Sequence, residues 1–284
     1  MKFITSKQND GTEVKLFYHD IGQGKPVVFI HGWPVNSMMW EYQLAELPKY
    51  GLRCIAYDRR GFGKSDQPFN GYDYDTLTDD LKALLDELDL NDVTLVGFSM
   101  AGGEVVRYCS KYESARVSKI VLVSSVVPYM LLTEDNPDGI PPEMVQQITD
   151  GLNQDHPGFL MEFFKQFFGV SLLSHPVSQG ILDSSLMLAM QALLKGTIDC
   201  VHSFAETDFR EEIKHISTPA LIIHGDADQT VPIKVTSDET AKLLPNAQYI
   251  VYEGEPHGLY YTSKDRLNKD LVQFINRIGS LETL

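Results

Sequence analysis

Short apolar runs bounded by turn residues alternate with amphipathic segments along most of the chain. This pattern predicts the strands of a parallel sheet joined by crossover helices. The runs predict strands over Val14 to Asp20, Pro26 to Ile30, Leu52 to Asp58, Val93 to Val96, Lys119 to Ser124, Ala220 to His224 and Gln248 to Tyr252. Between the third and fourth of these, Leu77, Leu81, Leu84, Leu85 and Leu88 recur at helical spacing, with Asp79, Asp80 and Asp86 read onto the opposite side. Such a segment predicts a crossover helix packed on the sheet. The alternation breaks between about Val126 and His215, where stretches such as "GFLMEFFKQFFG" and "SSLMLAMQALL" are helical in pattern and rich in Met and Phe. They predict a helical cap inserted after about the sixth strand, so that residues 1–125 and 216–284 form the α/β core and 126–215 the cap. Most cap aromatics are expected to form a small core of their own. Some must face the carboxyl edge of the sheet, where open α/β sheets bind ligands.

A chain of 284 residues with 43% hydrophobic content can bury one sizeable core with an inserted layer. Its 24 Lys and Arg against 39 Asp and Glu give a formal charge of −15, which repels a phosphate backbone and an anionic membrane surface. Neither nucleic acid nor membrane is expected as a partner. The opening "MKFITSKQNDG" has no apolar stretch or small-residue cleavage site, and no window approaches the length of a membrane span, so a soluble protein is expected. Three cysteines, Cys54, Cys109 and Cys200, at long spacings suggest neither a disulfide framework nor a zinc knuckle, and a reducing cytoplasm fits them best. The eight histidines contain no HExxH, and the carboxylates form no calcium-loop pattern, so no metal is expected.

The chemistry is signalled by "LVGFSMAGG", in which Ser99 follows a strand and precedes a helix, with small residues two positions to either side. A serine on a strained strand-turn-helix reversal exposes its hydroxyl as a nucleophile, provided its neighbours are small. A hydroxyl needs a base to attack at neutral pH, and the base needs an orienting acid, in the chain order Ser, acid, His for this arrangement. His257, in "EGEPHGLYY" after the last strand, fits the base; His224 and the remaining histidines read as surface or satisfied core residues. Asp226 and Asp228, both in "GDADQTVP", compete for the acid role, and spacing does not separate them. An oxyanion site is expected from the N–H of Met100, next to the nucleophile, and that of Trp33 in "VVFIHGWP". Pro34 restricts the residue before it and helps to fix the Trp33 peptide groups. The charges of "AYDRRGFGKSD" are assigned to structural turns.

Together these motifs resemble the α/β-hydrolase superfamily, and within it the cofactor-free bacterial haloperoxidases, or perhydrolases, and their aryl esterase relatives. "FIHGWP", "YDRRGFGKSD", "GFSMAGGEVVRY", "FAETDFR", "HGDADQTVP" and "PHG" occur in that family's order across nearly the whole chain. The resemblance implies an eight-stranded, mostly parallel sheet and a triad of Ser99, Asp228 and His257, because the family's acid is the second aspartate of "HGDxDQ". Asp226 is then a turn or capping residue bonded to its own backbone. Phe204 matches a position lining the acyl pocket, and Trp33, Pro34 and Thr230 join it as substrate-binding candidates. The implied reaction is hydrolysis of small carboxylic esters by an acyl-enzyme, with hydrogen peroxide able to replace water and release a peracid that oxidises halide in solution. Neither haem nor any other cofactor is implied. Pro34 is the residue that relatives associate with peracid formation. The resemblance also implies a homo-oligomer, a trimer or larger ring. Ala101 stands where a glycine is usual and Thr230 where an apolar residue is common. Lactones, amides or carbon–carbon bonds are alternative substrates for the same fold, and a low-turnover small-ligand sensor is an alternative from another class. Epoxide hydrolases and haloalkane dehalogenases place a carboxylate at the elbow, and Ser99 argues against both.

Overall fold

The computed structural model describes residues 1–7 and 11–277. These form one eight-stranded sheet from β1 (Lys2–Lys7), β2 (Glu13–Ile21), β3 (Lys25–Ile30), β4 (Leu52–Tyr57), β5 (Val93–Phe98), β6 (Val117–Val123), β7 (Ala220–Gly225) and β8 (Gln248–Tyr252), in the order β1-β2-β4-β3-β5-β6-β7-β8. β2 runs antiparallel to β1 and β4, and every other pairing is parallel. All six positions of β5 and of β7 are buried, as parallel strands covered on both faces require. β1 is the strand absent from the sequence pattern. Its buried positions are Ile4 and Ser6, and one isoleucine with one serine carries almost no period-two signal.

Helices α1 (Glu41–Glu46), α2 (Tyr74–Glu87) and α3 (Ala101–Lys111) precede β6. Between β6 and β7 lie α4 (Pro142–Gln154), α5 (His156–Phe167), α6 (Gln179–Ala189), α7 (Leu194–Glu206) and the short α8 (Arg210–Ile213); α9 (Ser237–Leu243) separates β7 from β8, and α10 (Leu259–Thr262) and α11 (Lys264–Asn276) follow it. No single helix among the described residues is long and apolar enough to cross a membrane. The chain leaves β4, crosses over β3 and enters the sheet again at β5, so β3 sits between them. The loops leaving β3 and β5 therefore meet at the carboxyl edge, at the point where the strand order reverses.

α2 is the expected crossover helix. Asp73 caps it by accepting the Thr76 N–H at 3.0 Å, and Leu77, Leu81, Leu84 and Leu85 are buried. Asp80, however, does not face solvent: it is buried and holds the Arg60 guanidinium in a two-bond pair, both at 2.6 Å. The turn assignment for the charges of residues 56–66 is corrected likewise, since Arg59 and Arg60 are both buried in ion pairs. Three residues after Leu77 and four before Leu84, Asp80 is carried by the helical period to the edge of the buried face, and a carboxylate buried there demands a cationic partner such as the Arg60 guanidinium. Arg60→Ala, which leaves the Asp80 charge buried, is expected to cost about 3–5 kcal/mol, read as a lower urea midpoint.

The aromatics of the inserted helices do not make a core of their own. Leu160, Phe164, Phe167 and Phe168 belong to the same continuous core as the sheet, and the separate cluster consists of Val126, Met130 and Val231. Phe167 packs on Phe98 at the end of β5 because the carboxyl edge is itself apolar and would otherwise stand open to water.

Candidate active site

Ser99 and Met100 alone turn the chain from β5 into α3. Ser99 has φ of +56°, a left-handed conformation that costs a side-chain-bearing residue roughly 1–2 kcal/mol. The surrounding strands impose it: the Ser99 N–H donates to Val123 C=O at 2.9 Å, and its C=O accepts from Gly102 at 3.0 Å and Val126 at 3.3 Å. A Cβ at Gly97 would meet the Ala101 carbonyl oxygen at 2.8 Å, so the strand must end on glycine for the turn to close. That contact is with the Ala101 backbone, which glycine would share, so the alanine departure leaves the turn intact. A Cβ at Gly32 would lie 2.5 Å from the Phe98 ring and 3.2 Å from Ser99 Cβ. The loop after β3 thus passes directly beside the serine.

His257 sits between β8 and α10, with its ring edge-on to Phe167 and tilted against Phe98, both at 4.8 Å between centroids. Its Nε2 is 3.0 Å from Ser99 Oγ and its Nδ1 is 2.6 Å from Asp228 Oδ2. Asp228 Oδ1 accepts the N–H groups of Thr230 and Val231, both at 2.8 Å. Burial pushes the Asp228 carboxyl up, but the charge of His257 and the bonds from His224 and His257 outweigh it and hold the group below the ordinary carboxylate range. Asp226 is exposed and accepts the Gly254 N–H at 2.6 Å, so it ties two loops together instead of bonding its own backbone. The local turn bonding assigned to Asp226 belongs to Asp228. A hydroxyl, an imidazole and an ionised carboxylate in one buried row can move a proton off the hydroxyl as it attacks an electrophile.

Residues 25–264 match the alpha/beta hydrolase fold family. The chain belongs to that family. It is 43% identical over 266 residues to the non-heme chloroperoxidase of Kitasatospora aureofaciens, spanning 93% of this chain and 97% of that one. With the bifunctional esterase/perhydrolase of Acinetobacter calcoaceticus it shares 37% over 278 residues, 97% of this chain and 99% of the relative. The crystal structure of a bromoperoxidase from Bacillus anthracis superposes with a TM-score of 0.93 at 42% identity, covering 97% of this chain and 100% of that one.

In this α/β hydrolase the loop after β3 is held by a buried network that its sequence did not announce. His31 is fully buried, and burial together with the Arg59 charge keeps its ring well below the usual histidine range. The neutral ring donates from Nδ1 to Gly32 C=O at 2.8 Å and accepts the Arg59 N–H on Nε2 at 2.9 Å. Arg59 also donates to His31 C=O at 2.8 Å and pairs with Glu104 on α3, which accepts a further bond from the Tyr57 hydroxyl. Tyr74 on α2 donates to Met100 C=O at 2.8 Å. The Trp33 loop and the start of α3 are thereby braced against each other. Among the described residues neither the Trp33 N–H nor the Met100 N–H has a hydrogen-bond partner.

The remaining candidates lie around this center. The Trp33 indole donates to Thr197 C=O on α7 at 2.9 Å and meets Phe163 and Phe204 edge-on at 5.1 and 5.7 Å. Phe204 also touches the cluster of Val126, Met130 and Val231. Pro34 is buried and follows a cis peptide bond. Thr230 holds Asp228 through its N–H, while its buried hydroxyl has no partner among the described residues. Ser99 is only 6% exposed, beneath the aromatic side chains that α5 and α7 bring against Trp33. His224, read from sequence as a surface or satisfied core residue, is buried and also reaches Asp228, a contact that no sequence spacing signals because the strand end and the loop meet only in the fold.

Proposed function

We propose that this α/β hydrolase cleaves small carboxylic esters through an acyl-enzyme on Ser99 and forms peracids when hydrogen peroxide replaces water. The row from Ser99 Oγ through His257 to Asp228, at 3.0 and 2.6 Å, carries the reading. Ser99 Oγ bonds to the ester carbonyl carbon as its proton passes to His257 Nε2, and the alcohol leaves with that proton. The N–H groups of Trp33 and Met100 take the carbonyl oxygen as it becomes negative. Water then attacks the acyl group, gives a proton to His257 and releases the acid; peroxide attacking in its place releases a peracid, and Ser99 recovers its hydroxyl either way. Trp33, Pro34, Phe204 and Thr230 are assigned to the acyl pocket. No cofactor enters the balance.

Relatives named as chloroperoxidase and esterase/perhydrolase support ester chemistry over lactones, amides, carbon–carbon bonds or a sensor without turnover. The charge of −15 supports a protein that avoids nucleic acid and anionic membranes. Cys54, Cys109 and Cys200, all buried and free, support a reducing cytoplasm. Assembly as a trimer or larger ring rests on the family resemblance. The test is turnover of a chromogenic acetate ester, and peracid formation from acetate and peroxide. Absent turnover of both defeats the reading. Pro34→Leu is expected to lower peracid yield several-fold, and an unchanged yield removes its role.

A further inference from the structure

Asp228 serves two histidines with one oxygen. Its Oδ2 lies 2.6 Å from His257 Nδ1 and 3.1 Å from His224 Nε2. The His224 ring is fully buried near the end of β7, with Nε2 also 2.9 Å from Val231 C=O and Nδ1 2.7 Å from Ser237 Oγ at the start of α9. Both neighbours of Nε2 are acceptors, so that nitrogen bears a hydrogen and donates. With the two backbone N–H groups on Oδ1, four donors converge on one buried carboxylate.

We infer that His224 is a positioning residue that acts through Asp228, fixing the carboxylate's orientation and restraining the basicity of His257. The inference rests on the proposed roles of Ser99, His257 and Asp228. A donor on Oδ2 draws charge from the carboxylate and leaves less of it to stabilise a protonated His257. The neutral ring, which accepts the serine proton, is thereby favoured over the protonated one. A protonated His224 acts in the same direction, because a cation there opposes a second one on His257. Asp228 is the charged group in contact with both rings. The other faces of His257 meet Ser99, Phe98 from β5 and Phe167 from α5, and those of His224 meet Val231 and Ser237 from α9.

The test uses the full chain with isotope-labelled histidine and follows the His257 ring by NMR as pH is changed. His224→Asn keeps an amide toward Ser237 but falls short of Oδ2, His224→Leu removes the donor with an apolar side chain, and His224→Gln returns an N–H to the reach of Nε2. In the Asn and Leu variants His257 is expected to titrate about half to one pH unit higher than in the wild type. The acid limb of kcat/KM for a chromogenic acetate ester moves with it, and kcat falls about tenfold at unchanged KM. His224→Gln restores the wild-type midpoint. Either donorless variant that folds carries the comparison. A role confined to packing lowers kcat without moving the midpoint, and equal midpoints in wild-type and donorless proteins overturn the inference. The NMR reading needs no turnover, so a moved midpoint in a protein inert toward esters counts against the proposed function alone.

Discussion

Ser99→Ala is expected to lower turnover of a chromogenic acetate ester by about five to six orders of magnitude. The hydroxyl is the atom proposed to carry the acyl group, so no acyl-enzyme forms without it, and what remains is catalysis by binding and by the donors proposed at Trp33 and Met100. The substitution is structurally mild. Alanine at φ of +56° is no more strained than serine, and the backbone bonds to Val123, Gly102 and Val126 are kept. Mass spectrometry of quenched reactions supplies a second reading: an acetyl adduct on the wild type, and none on the variant. Wild-type rates in a verified Ser99→Ala protein would sink the proposed mechanism.

Asp228→Asn is expected to cost about three to four orders of magnitude in kcat, while Asp226→Asn stays near the wild-type rate. The Asp228 carboxyl, held below the ordinary carboxylate range, is ionised at neutral pH. An ionised carboxylate accepts the His257 Nδ1–H and leaves Nε2 free to take the serine proton; an amide can instead present N–H to Nδ1 and trap the wrong tautomer. Two histidines press toward Oδ2, so the amide has no orientation that satisfies all of its neighbours. Asp226, by contrast, is exposed and bonded to Gly254. Steady-state kinetics of the two variants side by side decide the matter, and the reverse ranking would move the acid role to Asp226.

Much of this site is legible in the sequence. Its loops follow apolar runs, and an apolar run between turn residues reports its own strand. The small residues around Ser99 announced a tight reversal, and chain order alone placed His257 last. The aspartates were harder: "GDADQ" puts both in one loop, and only the family resemblance preferred Asp228. In the structure the two differ in direction, Asp228 toward His257 Nδ1 and Asp226 toward Gly254.

What the sequence by itself determined, then, is the succession of strands from β2 onward and the elbow at Ser99. These depend on neighbours within a few residues, where periodicity and turn chemistry act. The tertiary structure decided that Asp80 turns inward to Arg60, that Phe164 and Phe167 close over the sheet instead of forming a cap core, and that His224 shares Asp228 with His257. Each of those outcomes satisfies a buried charge, donor or ring with a partner that packing brings against it, and no local pattern records where packing will place that partner.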